Sequence, residues 1–167
     1  MKVELIDKMG TDLSVVNAAR VSYAKEKEEF EESDERLIRY LAEHKHWSPF
    51  AHTFLSFRIK APVFVARQLV KHQVGLVWNE ESRRYITYDP EIYNIRKWRK
   101  KPDSSKQGSG EQILISTELN LEVNEHLQQG LSLYNRLLLE NVAPEQARAV
   151  LPPVSYTHLR AHETVHY

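Results

Sequence analysis

Polar and apolar residues alternate along Lys2–Ile6, which predicts a strand. Asp12–Tyr23 (DLSVVNAARVSY) predicts a helix that runs into a loop. Lys25–Glu35 is charged, mostly acidic and has little to bury, so it is expected to be a surface segment. Ser33 or Asp34 can cap the next helix, which carries Leu37, Ile38 and Leu41 on one face and should stop near His44–Trp47, ahead of Pro49. Phe54–Lys60 (FLSFRIK) alternates less cleanly, but its aromatic and β-branched content points to a strand. Pro62 suits the first turn of a helix reaching about His72. Phe64, Val65, Leu69 and His72 recur there at helical spacing, with Arg67, Gln68 and Lys71 on a neighbouring polar face.

In the second half, Lys100–Gly110 (KKPDSSKQGSG) reads as a flexible loop. A long helix is expected from about Glu111 to Asn141, with Gly130 as a weak point or kink. Pro144 opens a short helix, PEQARAVL, that ends at Pro152–Pro153. There is no internal repeat. The pattern predicts an α+β fold: a central, mostly antiparallel sheet flanked by helices, the two longest near Pro62–His72 and Glu111–Asn141.

Composition narrows the class. The 167 residues are 41% apolar and 28% charged, the proportions of a soluble globular domain. No apolar run approaches the roughly 20 residues of a membrane helix. MKVELIDKMG lacks the apolar stretch of a secretion signal, so a cytoplasmic location is expected. Zero net charge gives no bulk pull toward nucleic acid or acidic membrane. The absence of cysteine excludes disulfides, cysteine-ligated zinc and a thiolate nucleophile.

The last residues stand apart. Val154–Thr164 reads VSYTHLRAHET, which is one translation of a transposase adapter used in sequencing libraries. Val154–Tyr167 is therefore expected to be a read-through scar. The natural part is then a single domain over Met1–Pro153, incomplete at its C-terminus.

Candidate chemistry concentrates in Arg67–Tyr85 (RQLVKHQVGLVWNEESRRY). Arg67, Lys71, Arg83 and Arg84 suit phosphate oxygens, arginine as a fork and lysine as a point charge. Gln68, Gln73 and Asn79 can read the edge of a base by paired donor and acceptor groups. On composition alone, a solvated helix face followed by a polar loop is the more ordinary reading. Taken singly, Ser48 before Pro49 is a turn residue, His72 a hydrogen-bonded core histidine, Glu80 and Glu81 a solvated pair, and Arg148 a surface helix residue.

The order of the residues changes this. The stretch resembles the signature of flavin-dependent thymidylate synthases: Arg-His-Arg, seven or eight residues, then Ser. Here it stands as Lys71-His72-Gln73, eight residues, then Ser82. WSPFAH at Trp47–His52, KAPVFVARQ at Lys60–Gln68, NEESRRY at Asn79–Tyr85, AARVSYAKE at Ala18–Glu26 and APEQARAVLP at Ala143–Pro152 resemble further family segments, in the same order. Lys71 and Gln73 depart from the signature: the first keeps the charge without the fork, the second keeps hydrogen bonding without the charge.

The resemblance implies a homotetrameric flavoenzyme that makes dTMP from dUMP. Reduced FAD supplies the hydride, methylenetetrahydrofolate the carbon, and NADPH the electrons that reduce FAD. By the same resemblance, Ser48, Lys71, His72, Gln73 and Glu80 contact FAD. Gln68, Lys71, Glu80, Glu81, Ser82, Arg83, Arg84 and Arg148 contact dUMP. The family's uracil-polarising Arg lies beyond the late helix, so no catalytic residue is assigned within Met1–Pro153. Arg160 and His162 are not substitutes for it, and the chain as written is expected to be inactive or nearly so.

Two other patterns point elsewhere. His44, His46 and His52 invite a metal reading, but there is neither an HExxH pattern nor a cysteine partner, so no metal is expected. Arg96–Lys101 (RKWRKK) is a basic run with one aromatic, better read as a solvated or substrate-attracting surface than as a nucleic-acid contact. The competing function is a non-catalytic nucleotide- or nucleic-acid-binding domain that uses the basic face without redox chemistry.

Overall fold

The computed structural model describes residues 1–104 and 107–164. In chain order the elements of the first half are β1 (Lys2–Met9), α1 (Asp12–Arg20), α2 (Glu32–Glu43), β2 (Phe54–Pro62), α3 (Val63–Leu69) and β3 (Leu76–Glu80). Then come β4 (Trp98–Arg99), β5 (Gln112–Ile113), α4 (Thr117–Leu139), α5 (Pro144–Ala147) and β6 (Tyr156–Thr164), with short 3₁₀ turns between some of them. The chain is α+β, with a four-stranded sheet in the order β1-β2-β6-β3. The β1–β2 and β3–β6 pairs are antiparallel. Contacts sort the chain into two compact units, one of Met1–Ala61, Val65–Glu81 and His158–Tyr167, the other of Pro62–Phe64 and Ser82–Thr157. Residues 165–167 of the C-terminal tail and 105–106 of the Lys100–Gly110 loop lie outside the described residues.

In the first unit, β1 runs beyond the expected Ile6 to Met9 because its register slips between Leu5 and Asp7. One extra residue there lets pairing with β2 continue. Helices α1 and α2 bury Val15 and Leu41 with Phe50, and Leu37, Ile38 and Ala42 pack on them, the face expected from spacing.

Asp34 departs from the expected surface segment: it is fully buried. Its carboxylate takes Arg20 at 2.8 Å and Lys27 at 2.9 Å, and accepts the Glu31 backbone N–H at 3.0 Å. Glu31, rather than Ser33 or Asp34, holds the N-cap position of α2. The Lys27 ammonium, joined by the Glu31 N–H and Arg20, outweighs burial and holds the Asp34 carboxyl down at about 2. Sequence shows only a charged run; the partners that make burial tolerable come from α1 and the following loop. Asn17 fastens that loop, donating to the Lys27 carbonyl at 2.9 Å and accepting the Lys27 N–H at 3.0 Å.

Helix α3 is shorter than expected. Pro62 ends β2 instead of opening the helix, and the last helical residue is Leu69. The second-longest helix is therefore α2. Ala66 is the buried position of α3, while Phe64 is exposed. Beyond α3, Gly75 takes a left-handed φ of 73°, which turns the chain into β3. That strand was hidden in a stretch expected to be helix and loop, although Leu76, Val77 and Trp78 favour a pleated environment.

Tyr156–Thr164, set aside above as adapter translation, occupies the strand position between β2 and β3. Thr157, Leu159 and Ala161 are buried, whereas Arg160 and His162 are exposed. That period of two is all such a position demands of a sequence.

In the second unit, α4 starts at Thr117, later than expected. The Ser116 hydroxyl caps it, accepting the Leu119 N–H at 3.1 Å. The preceding Gln112–Ile113 pairs with Trp98–Arg99 across the Lys100–Gly110 loop. Leu127 and Tyr134 are the buried positions of α4. Gly130 lies within continuous helix and marks a close approach, not a break. A Cβ there would stand 3.1 Å from Pro152 Cδ and 3.2 Å from the Val150 carbonyl oxygen. Alanine would gain about 1 kcal/mol of helix propensity. The crowding falls on a rigid ring and a backbone oxygen, however, and should cost more. Gly130→Ala is expected to destabilise by about 1 kcal/mol, lowering the melting temperature by about 3 °C. A higher melting temperature would contradict this account of the contact. Among the described residues, no helix is long and apolar enough to cross a membrane.

Candidate functional site

The first group of candidate residues gathers where α3 ends. Past the last turn the backbone bonds shorten in span: Lys71 N–H reaches the Gln68 carbonyl at 3.3 Å and His72 N–H the Leu69 carbonyl at 3.0 Å. The Gly75 turn follows, closed by the Leu76 N–H on the Gln73 carbonyl at 3.4 Å. Trp78 of β3 reaches back, donating from its indole to the His72 carbonyl at 2.9 Å. Backbone bonds thus hold the turn and leave its side chains outward. Arg67, Gln68, Lys71, His72 and Gln73 are exposed. Among the described residues, these five side chains make no hydrogen bond or ion pair. His72 is thus a surface residue, not a core histidine.

Ser48 is exposed in the turn before Phe50, and its carbonyl accepts the Ala51 N–H at 3.2 Å. Glu80 is exposed at the end of β3. Glu81 is partly buried; its N–H donates to the His158 carbonyl and its carboxylate lies 2.8 Å from His158 Nδ1. A histidine of the set-aside tail therefore occupies one of the expected ligand contacts. Of the two tail residues considered for catalysis, Arg160 is exposed on β6 and His162 stacks on Phe54 with centroids 5.3 Å apart. His44 stacks on Tyr40 at 4.0 Å and gives Nδ1 to the Tyr40 carbonyl at 2.9 Å.

The second unit holds the rest. Ser82–Tyr85 form a tight turn, with the Tyr85 N–H on the Ser82 carbonyl at 3.0 Å and the Arg84 N–H on the Ser82 hydroxyl at 3.3 Å. Arg83 is partly buried and committed: it donates to the Tyr88 carbonyl and lies over the Tyr88 ring at 4.8 Å. Arg84 is exposed and pairs through Nε with Glu145 of α5 at 3.2 Å. Arg148, on the 3₁₀ turn after α5, donates through its own Nε to the Glu145 carbonyl at 3.3 Å. Two arginines far apart in sequence thus meet on Glu145, a residue that sequence reasoning did not single out. Nothing local signals it, because its partner is supplied from another part of the chain.

Chemically, the end of α3 offers uncommitted amide, imidazole and ammonium donors, a set that suits a phosphorylated ligand. Arg84 and Arg148 offer a second cationic set.

Comparisons with known proteins point to one family. The family described as "Thymidylate synthase complementing protein" matches residues 4–166. The chain is 42% identical over 159 residues to the flavin-dependent thymidylate synthase of Kosmotoga olearia, spanning 93% of this chain and 67% of that protein. It is 40% identical over 164 residues to the flavin-dependent thymidylate synthase of Thermus thermophilus, spanning 98% of this chain but only 60% of that protein. Among solved structures, the UMP/dUMP methylase PolB of Streptomyces cacaoi, bound with 5-Br dUMP, superposes with a TM-score of 0.79 at 35% identity. That match covers 98% of this chain and 72% of PolB.

Proposed function

The chain belongs to the flavin-dependent thymidylate synthase family, and on that premise we propose that it forms the FAD- and dUMP-binding part of an enzyme that methylates dUMP to dTMP. The reading rests on the five uncommitted side chains at the end of α3. Their donors fit an anionic cofactor, and among the described residues no carboxylate pairs with them. Lys71, His72 and Gln73, with Ser48 and Glu80, would hold FAD. Gln68, Lys71, Glu80, Glu81, Ser82, Arg83, Arg84 and Arg148 would hold dUMP. Bound FAD supplies the hydride; methylenetetrahydrofolate as carbon donor and NADPH as reductant complete the reaction. The protein's own part is to bind, orient and polarise: cations near the nucleotide stabilise charge that develops on the ring. A homotetramer in the cytoplasm is part of the same proposal.

Lys71 is the single cation of the variant signature, so its loss should be felt directly. Lys71→Ala is expected to weaken FAD binding about tenfold, the equivalent of one charge-assisted hydrogen bond. Flavin absorbance during FAD titration measures it, and the spectrum of the loaded protein should change when dUMP is added. A chain that binds no FAD, yet binds oligonucleotides in a salt-sensitive manner, would instead favour the non-catalytic nucleic-acid reading.

A further inference from the structure

Glu145 meets two exposed arginines of the second unit, Arg84 and Arg148, each at its Nε. Its carboxylate takes Arg84 Nε at 3.2 Å, and its backbone carbonyl takes Arg148 Nε at 3.3 Å. The Arg84 guanidinium makes no other ion pair, and that of Arg148 no other hydrogen bond, among the described residues, although Arg84 also lies over the Tyr85 ring at 5.9 Å. A guanidinium held at Nε keeps its two terminal nitrogens free. Those two form the end-on fork that receives a phosphate or carboxylate.

We propose that Glu145 is a positioning residue: it fixes the Arg84 fork, beside that of Arg148, for the phosphate of the nucleotide. This rests on the reading of Arg84 and Arg148 as dUMP contacts. A long arginine side chain loses rotamer freedom when it binds, and a partner that holds it beforehand lowers that loss. Glu145 carries a charge of the same sign as the phosphate, so a carboxylate acting only as a counter-ion would oppose binding. The two roles therefore predict opposite signs. The pair is about half exposed on both sides, so it contributes little to stability and substitution there should leave the fold intact.

The test is calorimetric titration of the FAD-supplemented chain with dUMP, in wild type, Glu145→Ala, Glu145→Gln, Arg84→Ala and the double variant Arg84→Ala/Glu145→Ala. Glu145→Ala should weaken dUMP about tenfold. Glu145→Gln, which keeps an acceptor oxygen, should stay within about threefold of wild type. In the Arg84→Ala background, Glu145→Ala should add nothing, because Glu145 acts through Arg84. Unchanged or tighter dUMP binding by Glu145→Ala, with Arg84→Ala still weakened, overturns the positioning role alone. A wild-type chain that binds no dUMP, or an Arg84→Ala variant that binds it as well as wild type, overturns the nucleotide reading beneath it as well.

Discussion

Asp34→Ala is expected to lower the melting temperature by about 10 °C, the largest stability effect of any single substitution considered for this chain. The carboxylate is fully buried between α1, α2 and the loop carrying Lys27, and it accepts from three donors. Its removal leaves two mostly buried cations and a backbone N–H without their acceptor. That kind of loss is far greater than the loss of a surface pair. Lys27 keeps one carboxylate, Glu31 at 2.8 Å, so Arg20 bears most of the loss. The same group gives a pH signature. Its carboxyl is depressed from an ordinary value near 3.8 to about 2. A depressed carboxyl contributes stability that is fully present above its unfolded value and is lost as pH falls through the folded value. Wild type should therefore lose stability progressively from about pH 4 down to about pH 2, while Asp34→Asn shows a flatter curve there. Thermal melts of wild type and both variants across that range measure it. An Asp34→Ala melting temperature within a degree or two of wild type would remove the buried network from the account of this fold.

The largest effect on activity should come from the C-terminus. Exchanging Val154–Tyr167 for the residues encoded by the uninterrupted genomic frame is expected to raise NADPH-dependent dTMP formation from the detection limit to a readily measured rate. The motive is chemical: VSYTHLRAHET is expected to be an adapter translation, and the resemblance implies that the uracil-polarising Arg follows Pro153. The restored frame should carry an Arg followed shortly by a His-Ala-Gln-like motif. Filling a strand position and supplying a catalytic group are separate demands. Thr157, Leu159 and Ala161 meet the first by alternation, while Arg160 and His162 have no assigned part in the second. Two results would refute the idea: robust dTMP formation by the 167-residue chain, or a genomic reading that returns the same eleven residues of Val154–Thr164.

What could be read from sequence divides by range. The α2 face, β2 and the body of α4 carry their pattern within a few turns or pleats, and they stand where spacing puts them. Elements that depend on a distant partner were not legible. β3 needs β6, and β4 with β5 are only two residues each, too short for a periodic signal. Pro62 is compatible both with the start of a helix and with the end of a strand, and pairing with the sheet decides between them. The candidate site follows the same rule. Gln68, Lys71, His72 and Gln73 are candidates through the resemblance to the family signature, and the structure gathers them at one turn. Glu145 was not named, because its meeting with Arg84 is made by folding.

The position of β6 carries a consequence for synthesis. It lies between β2 and β3, so an inner strand leaves the ribosome after both of its neighbours. While translation is short of residue 159, the partner of Glu80, one edge of β2 and the whole of β3 have no neighbour on that side. Strand edges left open in this way recruit other chains. A nascent polypeptide halted near Pro153 should therefore depend more on chaperones than one in which β6 has emerged and paired.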